Sequence, residues 1–224
     1  MKYLLFVFAV IILASCEKKN TSAIKIVKET VNNQKVEYQY DSIKKVKQGY
    51  YKFFYENGQV SIEKTYVNDT ANGYQKEFFP SGKLSGEFKV VAGKFEGEFK
   101  YFHENGKVKQ VGKYLNNAIE GELKSYYENG SIKESVMMVD NLEKGPFTEF
   151  YESGKPKVKG EFLEGVNTEF CVLEKFKEDG TPESRMLCNG KGVCCTIWTA
   201  EKGDQKPNNP MCIKLMEEMK DKCK

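Results

Sequence analysis

From residue 49 to residue 168 the chain alternates apolar and polar side chains in short runs, and the pattern restarts every 24 residues. Tyr-Glu-Asn-Gly stands at 55–58 and 127–130, His-Glu-Asn-Gly at 103–106 and Tyr-Glu-Ser-Gly at 151–154, with Phe-Pro-Ser-Gly at 79–82 as a weaker copy. Two glycine series keep the same period: Gly58, Gly82, Gly106, Gly130 and Gly154, and Gly49, Gly73, Gly97, Gly121 and Gly145. A sixth, degraded copy ends at Gly180, shifted by two residues. Period-two alternation marks a half-buried strand, and Asn-Gly between two such runs marks a hairpin whose two central residues take positive φ. Each unit is therefore predicted to be one β-hairpin, and the units together a mainly β, elongated antiparallel meander.

Numbering each unit from its first glycine, a two-residue turn at positions 9 and 10 pairs position 7 with 12, 5 with 14, 3 with 16 and 1 with 18. Position 18 holds Tyr66, Val90, Tyr114, Met138 and Phe162, which would lie over the bare glycine of position 1. Positions 3 and 16 compensate in size: Phe99 and Phe147 face Gly112 and Gly160, whereas Phe88 faces Gln75. A three-residue Glu-Asn-Gly loop with a bulge is the other option; it would shift the pairing and lose this compensation.

Odd positions before the turn and even positions after it then form the packed face, with Tyr55, Val60, Ile62, Tyr66, Phe79, Leu84, Phe88, Phe99, Tyr101, Val108, Tyr114, Tyr127, Ile132, Val136, Phe147, Tyr151, Val158 and Phe162. The opposite face carries one aromatic per unit, Phe54, Phe78, Phe102, Tyr126 and Phe150, as a ladder with steps of about 10 Å. Around it lie Lys52, Lys76, Lys100 and Lys124, and further lysines at positions 11 and 13. Aromatic platforms among lysines suit an anionic or glycan-like extended partner, so Phe54, Phe78, Phe102, Tyr126, Phe150, Lys76, Lys100 and Lys124 are the candidate binding residues.

The unit Gly-x-Phe-Lys-x-Phe-Tyr-Glu-Asn-Gly-Lys-Val resembles the MORN-repeat variant of bacterial proteins, strongly over 49–168 and weakly on either side. Such arrays are often described as YwqK-family antitoxins. The resemblance implies an antiparallel β-meander that binds a protein or a surface, with no shared catalytic residues. It also supplies the alternative function, an antitoxin or immunity protein that neutralises a toxin by protein–protein binding.

The first residues read as an address. Residues 3–13 are an uncharged apolar run after Lys2, shorter than the roughly 20 residues a spanning helix needs. Leu13-Ala14-Ser15-Cys16 follows and resembles the bacterial lipobox, which implies a lipid on Cys16 and loss of residues 1–15. The chain thus divides into a signal peptide at 1–15, a polar tether at 16–35, a repeat sheet at 36–170 and a cysteine-rich module at 171–224.

Six further cysteines, Cys171, Cys188, Cys194, Cys195, Cys212 and Cys223, all fall in that last module. In an exported chain an even count predicts disulfides, here three, with neighbours Cys194 and Cys195 bridging to different partners. Asn209-Pro210 reads as an N-cap and first helical position, opening a short amphipathic helix over 210–222. Trp198, the sole Trp, is expected in the core of this module.

Little else points to chemistry. The net charge of +3 carries no nucleic-acid signature, and a single histidine leaves little room for a His-based triad or zinc site. His103 occupies position 7, where other copies have Tyr or Phe, and reads as a packing residue. Glu56, Glu104, Glu128 and Glu152 recur as turn residues, and the glycines punctuate hairpins rather than cradle phosphate. The expectation is a non-catalytic, lipid-anchored binding or scaffold protein of the bacterial cell envelope, on the outer membrane in a Gram-negative cell. No cofactor, metal or nucleic acid is expected. The partners are the membrane, through the lipid, and a protein or extended envelope polymer.

Overall fold

The computed structural model describes residues 23–162, 170–188, 194–206 and 209–219. In chain order the elements are β1 (Ile24–Val31), β2 (Gln34–Asp41), β3 (Val46–Phe54), β4 (Val60–Val67), β5 (Thr70–Ala71), β6 (Gly73–Phe78), β7 (Leu84–Val91), β8 (Lys94–Phe102) and β9 (Val108–Leu115). They continue with β10 (Ala118–Ile119), β11 (Gly121–Tyr126), β12 (Ile132–Val139), β13 (Leu142–Phe150), β14 (Pro156–Phe162), β15 (Phe170–Phe176), β16 (Pro182–Cys188), β17 (Cys194–Thr199), β18 (Gly203–Asp204) and α1 (Pro210–Met219). Each strand pairs antiparallel with its neighbour in sequence, so the array is one open meander. The short pieces β5 and β10 precede β6 and β11 and pair on the same neighbours, β4 and β9.

Two boundaries differ from the sequence reading. Residues 24–31, expected within the tether, form β1 and close a hairpin on β2 through Asn32-Asn33. The sheet also runs past residue 170 into the expected cysteine module: Lys177–Gly180 makes the same turn as the regular units despite its two-residue shift. Residues 1–15 and Cys16 lie outside the described residues.

The hairpin turns also differ, in an informative way. At Tyr55-Glu56-Asn57-Gly58 the Gly58 N–H donates to Tyr55 C=O, and the Tyr55 N–H donates to Gln59 C=O. Only Gly58 takes positive φ, at +85°, so the loop has three residues: a type I turn closed by a left-handed glycine. The pairing was expected to shift with such a loop. Instead it holds at Gly49↔Tyr66, Tyr51↔Lys64 and Phe53↔Ile62, because one extra residue, Ser61, is absorbed as a bulge before Phe54↔Val60. In the repeat units the two-residue turns with two positive φ values lie at the other rim, at Asn68-Asp69, Ala92-Gly93, Asn116-Asn117 and Asp140-Asn141; ahead of the repeats, Asn32-Asn33 makes such a turn at the Gly58 rim.

The glycine of position 1 also has a different reason. Gly49, Gly73, Gly97, Gly121 and Gly145 all take φ between +80° and +120°. A side chain there would be strained by the backbone itself. A Cβ on Gly73 or Gly97 would meet Thr65 or Lys89, not the aromatic opposite.

Size compensation on the packed face is as predicted. A Cβ on Gly112 would lie 2.7 Å from the Phe99 ring, and one on Gly160 would lie 2.5 Å from Phe147. Phe99 is 2% exposed and packs beside Phe88, Tyr101 and Tyr114. Farther along, Val136, Met138, Phe147, Val158 and Phe162 bury one another on the same face.

At the C-terminal end the disulfides Cys188–Cys194 and Cys195–Cys212 are formed, so the adjacent cysteines do take different partners. The Cys171 side chain and Cys223 lie outside the described residues. Helix α1 begins as predicted, with the Met211 N–H donating to the Asn209 side chain at 2.9 Å. It packs through Leu215, 2% exposed, against Cys195 and Leu187. Trp198 is not core: it is half-buried, with the Arg185 guanidinium 5.4 Å above its ring.

Candidate functional site

Three bands that run across the strands stand out on the face bearing the aromatic ladder; a mixed row, Tyr50↔Thr65, Tyr74↔Lys89, Glu98↔Lys113, Glu122↔Met137 and Pro146↔Glu161, separates the second from the third. The first holds the rings. Phe54, Phe78, Phe102, Tyr126 and Phe150 are all half-buried, and each stands opposite an aliphatic partner: Val60, Leu84, Val108, Ile132 or Pro156. Val60, Leu84, Val108 and Ile132 were expected on the packed face. The bulge after position 12 turns them over to the ladder, where they stand across from the rings.

The second band is a row of register partners: Lys28, Glu37, Lys52, Glu63, Lys76, Glu87 and Lys100. Lysine and glutamate alternate strand by strand. Lys28–Glu37 closes at 2.9 Å, Lys52–Glu63 at 3.4 Å and Lys76–Glu87 at 3.7 Å. The field is therefore not uniformly basic, as the lysine spacing alone suggested; acids at position 15 answer the lysines of position 4. Past Lys100 the row changes to Val111, Lys124 and Ser135. There Lys124 turns to Glu122 at 2.7 Å, which pulls the Glu122 carboxyl below its usual range with help from Ser135.

The third band was not foreseen. Val67, Val91, Leu115 and Val139 recur at position 19 and are 40–48% exposed. Their parity places them on the ladder face, one residue before the two-residue turns. The signal was present in the sequence as an aliphatic residue 24 apart on the supposedly polar face.

Both rims are tied unit to unit. Tyr55, Tyr127 and Tyr151 each donate their hydroxyl to a backbone carbonyl of the next unit, at Phe78, Phe150 and Phe176. His103 makes the equivalent bond, Nε2 to the Tyr126 carbonyl at 2.9 Å. A carbonyl only accepts, so Nε2 carries the proton. His103 is thus a bridging residue, not merely a packing one. Asn57, Asn105 and Asn129 each accept from the backbone within their own turn and donate to the next turn. At the other rim Asp69, Asn117 and Asn141 accept from the Lys47, Phe95 and Ile119 N–H groups.

On the packed face, Glu134 stands directly opposite Glu149. Burial first, then the charges of Glu149 and Glu143, pushes the Glu134 carboxyl above its usual range. The pair borders a groove of about 590 Å³ with a floor of Phe147, Val158, Phe162 and Leu173. Sequence reading dismissed carboxylates because the recurrent ones sit in turns. Glu134 is not one of those: its position varies between units, held by Ile62, Gly86, Gln110 and Val158 in the others.

Five consecutive segments, 47–68, 71–89, 95–116, 119–140 and 143–164, match the family described as MORN repeat variant. No curated protein matches the chain.

Proposed function

We propose that this array of MORN repeat variants is a non-catalytic binding or scaffold module of a bacterial cell envelope, anchored by lipid on Cys16. Its ladder face would meet a protein or extended envelope polymer. The observation that carries the reading is the exposed aliphatic stripe Val67, Val91, Leu115 and Val139, on the same face as the charge row and the rings and one mixed row away from the charges. Exposed apolar side chains rimmed by charge mark interaction surfaces, and repetition at about 10 Å suits a partner longer than one unit. Lys76, Lys100 and Lys124 stand on the same face, in the charge row, and would set the charge of the partner. The bridging role of His103 supports a structural rather than a catalytic use of the only histidine.

Two measurements test this reading. The intact mass of the purified chain should begin at Cys16 and include acyl chains; a chain starting elsewhere or lacking lipid refutes the anchor. Capture from envelope extracts should recover a partner that is lost with Val91→Asp and Leu115→Asp together. It should also weaken with Lys76→Glu and Lys100→Glu in a salt-dependent way. Capture indifferent to both pairs removes the ladder face as the binding surface. A captured toxin would make the same surface an immunity device, as the antitoxin reading requires.

A further inference from the structure

The two ends of the sheet are unlike. At the C-terminal end, β17 carries the two-residue β18, and α1 is stapled beside it by Cys195–Cys212. At the N-terminal end, β1 pairs with β2 over all eight residues, from Ile24↔Asp41 to Val31↔Gln34, without a bulge. Among the described residues nothing pairs with the outer side of β1. An open strand edge offers a row of N–H and C=O groups and is a template for strand addition. Natural edges are blunted by Pro, bulges, shortness or charge; β1 has no Pro or bulge and runs for eight residues, seven of them exposed, and its only such device is the charge of Lys25, Lys28 and Glu29.

We propose that β1 is a homodimer interface, adding antiparallel to β1 of a second copy about a two-fold axis at Val27. Charge fixes the register. Lys25, Val27 and Glu29 point to the packed face, as partners of Tyr40, Tyr38 and Val36, and Ile24, Ile26, Lys28 and Thr30 point to the ladder face. Residues opposite each other in a sheet share a face and interact. With the axis at Val27, Lys25 of each copy stands opposite Glu29 of the other, Val27 meets Val27, and Ile26 lies beside the Lys28 stem. An axis at Lys28 or Glu29 sets like charges face to face, and one at Ile26 leaves Lys25 opposite Val27. The register at Val27 is therefore the self-complementary one. It consumes both open edges, so the assembly closes at two copies instead of growing into a fibre. The face proposed to bind a partner stays free in this dimer, and the two readings stand or fall separately.

Sedimentation equilibrium of the purified full chain in detergent, below one chain per micelle, should show a dimer. Lys25→Glu and Glu29→Lys should each raise the dissociation constant about tenfold or more, because both symmetry-related pairs become repulsive. The double exchange should bring it back to within about threefold of the parent, since the charges are again opposed. Val27→Cys should form a disulfide-linked dimer under mild oxidation, whereas Glu29→Cys, which faces Lys25, should not. These side chains are exposed or half-buried, and melting curves will show the monomer fold unchanged. A chain that remains monomeric, or a double exchange as weak as the single variants, overturns the proposal.

Discussion

Replacing Gly112 by Ala is the sharpest test of how the packed face is assembled. Gly112 does not take positive φ, so its backbone accepts alanine. In an ordinary strand the exchange would gain about 0.5–1 kcal/mol, because glycine loses more freedom on folding. Here the new methyl would lie 2.7 Å from Cε1 and Cζ of Phe99 and 2.8 Å from Cδ1 of Leu123. Those contacts require a shift, and the ring has nowhere to go. It is 2% exposed, with the Tyr114 ring at 4.7 Å, Tyr101 at 5.9 Å and Phe88 at 6.3 Å. Overpacking of this kind costs about 1–3 kcal/mol. The net expectation is a loss of about 0.5–2 kcal/mol. Urea unfolding followed by circular dichroism should show a lower midpoint at unchanged slope. Adding Phe99→Leu should recover much of the loss, so that the double variant is better than the sum of the single ones by about 1 kcal/mol. A Gly112→Ala variant as stable as the parent would refute the claim that Phe99 fills the space above this glycine.

Three other outcomes follow from particular residues. Ala92 holds φ +48° where the other copies have Asn or Asp, so Ala92→Asn should raise stability by about 0.5–1 kcal/mol in the same urea assay. His103→Phe should lose about 0.5–1.5 kcal/mol with the bond to Tyr126, whereas His103→Tyr should remain close to the parent, as the tyrosine of other units makes that bond. Glu134 has a raised pKa, so the folded chain holds its proton more tightly than the unfolded one, and its contribution to stability falls as pH rises through that window. Glu134→Gln should therefore be stabilising at pH 7, with the advantage vanishing at pH values below the ordinary glutamate range; an equal gain at both would refute the linkage.

The fold was legible because the repeat displays each rule five times over. The register of positions 1, 3 and 5 could be read from Gly112 against Phe99 alone, since a pair that trades size must touch. The turn type could not. Glu-Asn-Gly serves both a two-residue turn and a three-residue loop, and the choice depends on whether Ser61 and its equivalents are absorbed as bulges, a backbone adjustment with no fixed residue code. That one bulge also decided the face of Val60, Leu84, Val108 and Ile132, and with it what stands across from the ladder rings. The charge row was half visible: lysines at position 4 were noted without the glutamates at position 15 that stand across from them. β1 was missed because the polar composition of residues 16–35 as a whole outweighed the alternation in Ile24-Lys25-Ile26-Val27.

The bonds along the two rims bear on how such a chain can change length. Among the described residues, the ties described above that leave a turn reach the neighbouring unit, at separations of 20 to 25 residues. Excising one whole unit, such as 97–120, brings the donors of the preceding unit onto the acceptors of the following one, in the same chemistry and the same phase. Cutting 23 or 25 residues instead would demand a compensating bulge to keep the downstream side chains on their own side of the sheet. A gene for this protein can thus lengthen or shorten its product by duplication or loss in steps of 24 codons, with the hairpins on either side left intact. The span of the molecule is a heritable quantity with a discrete unit, about 10 Å per step.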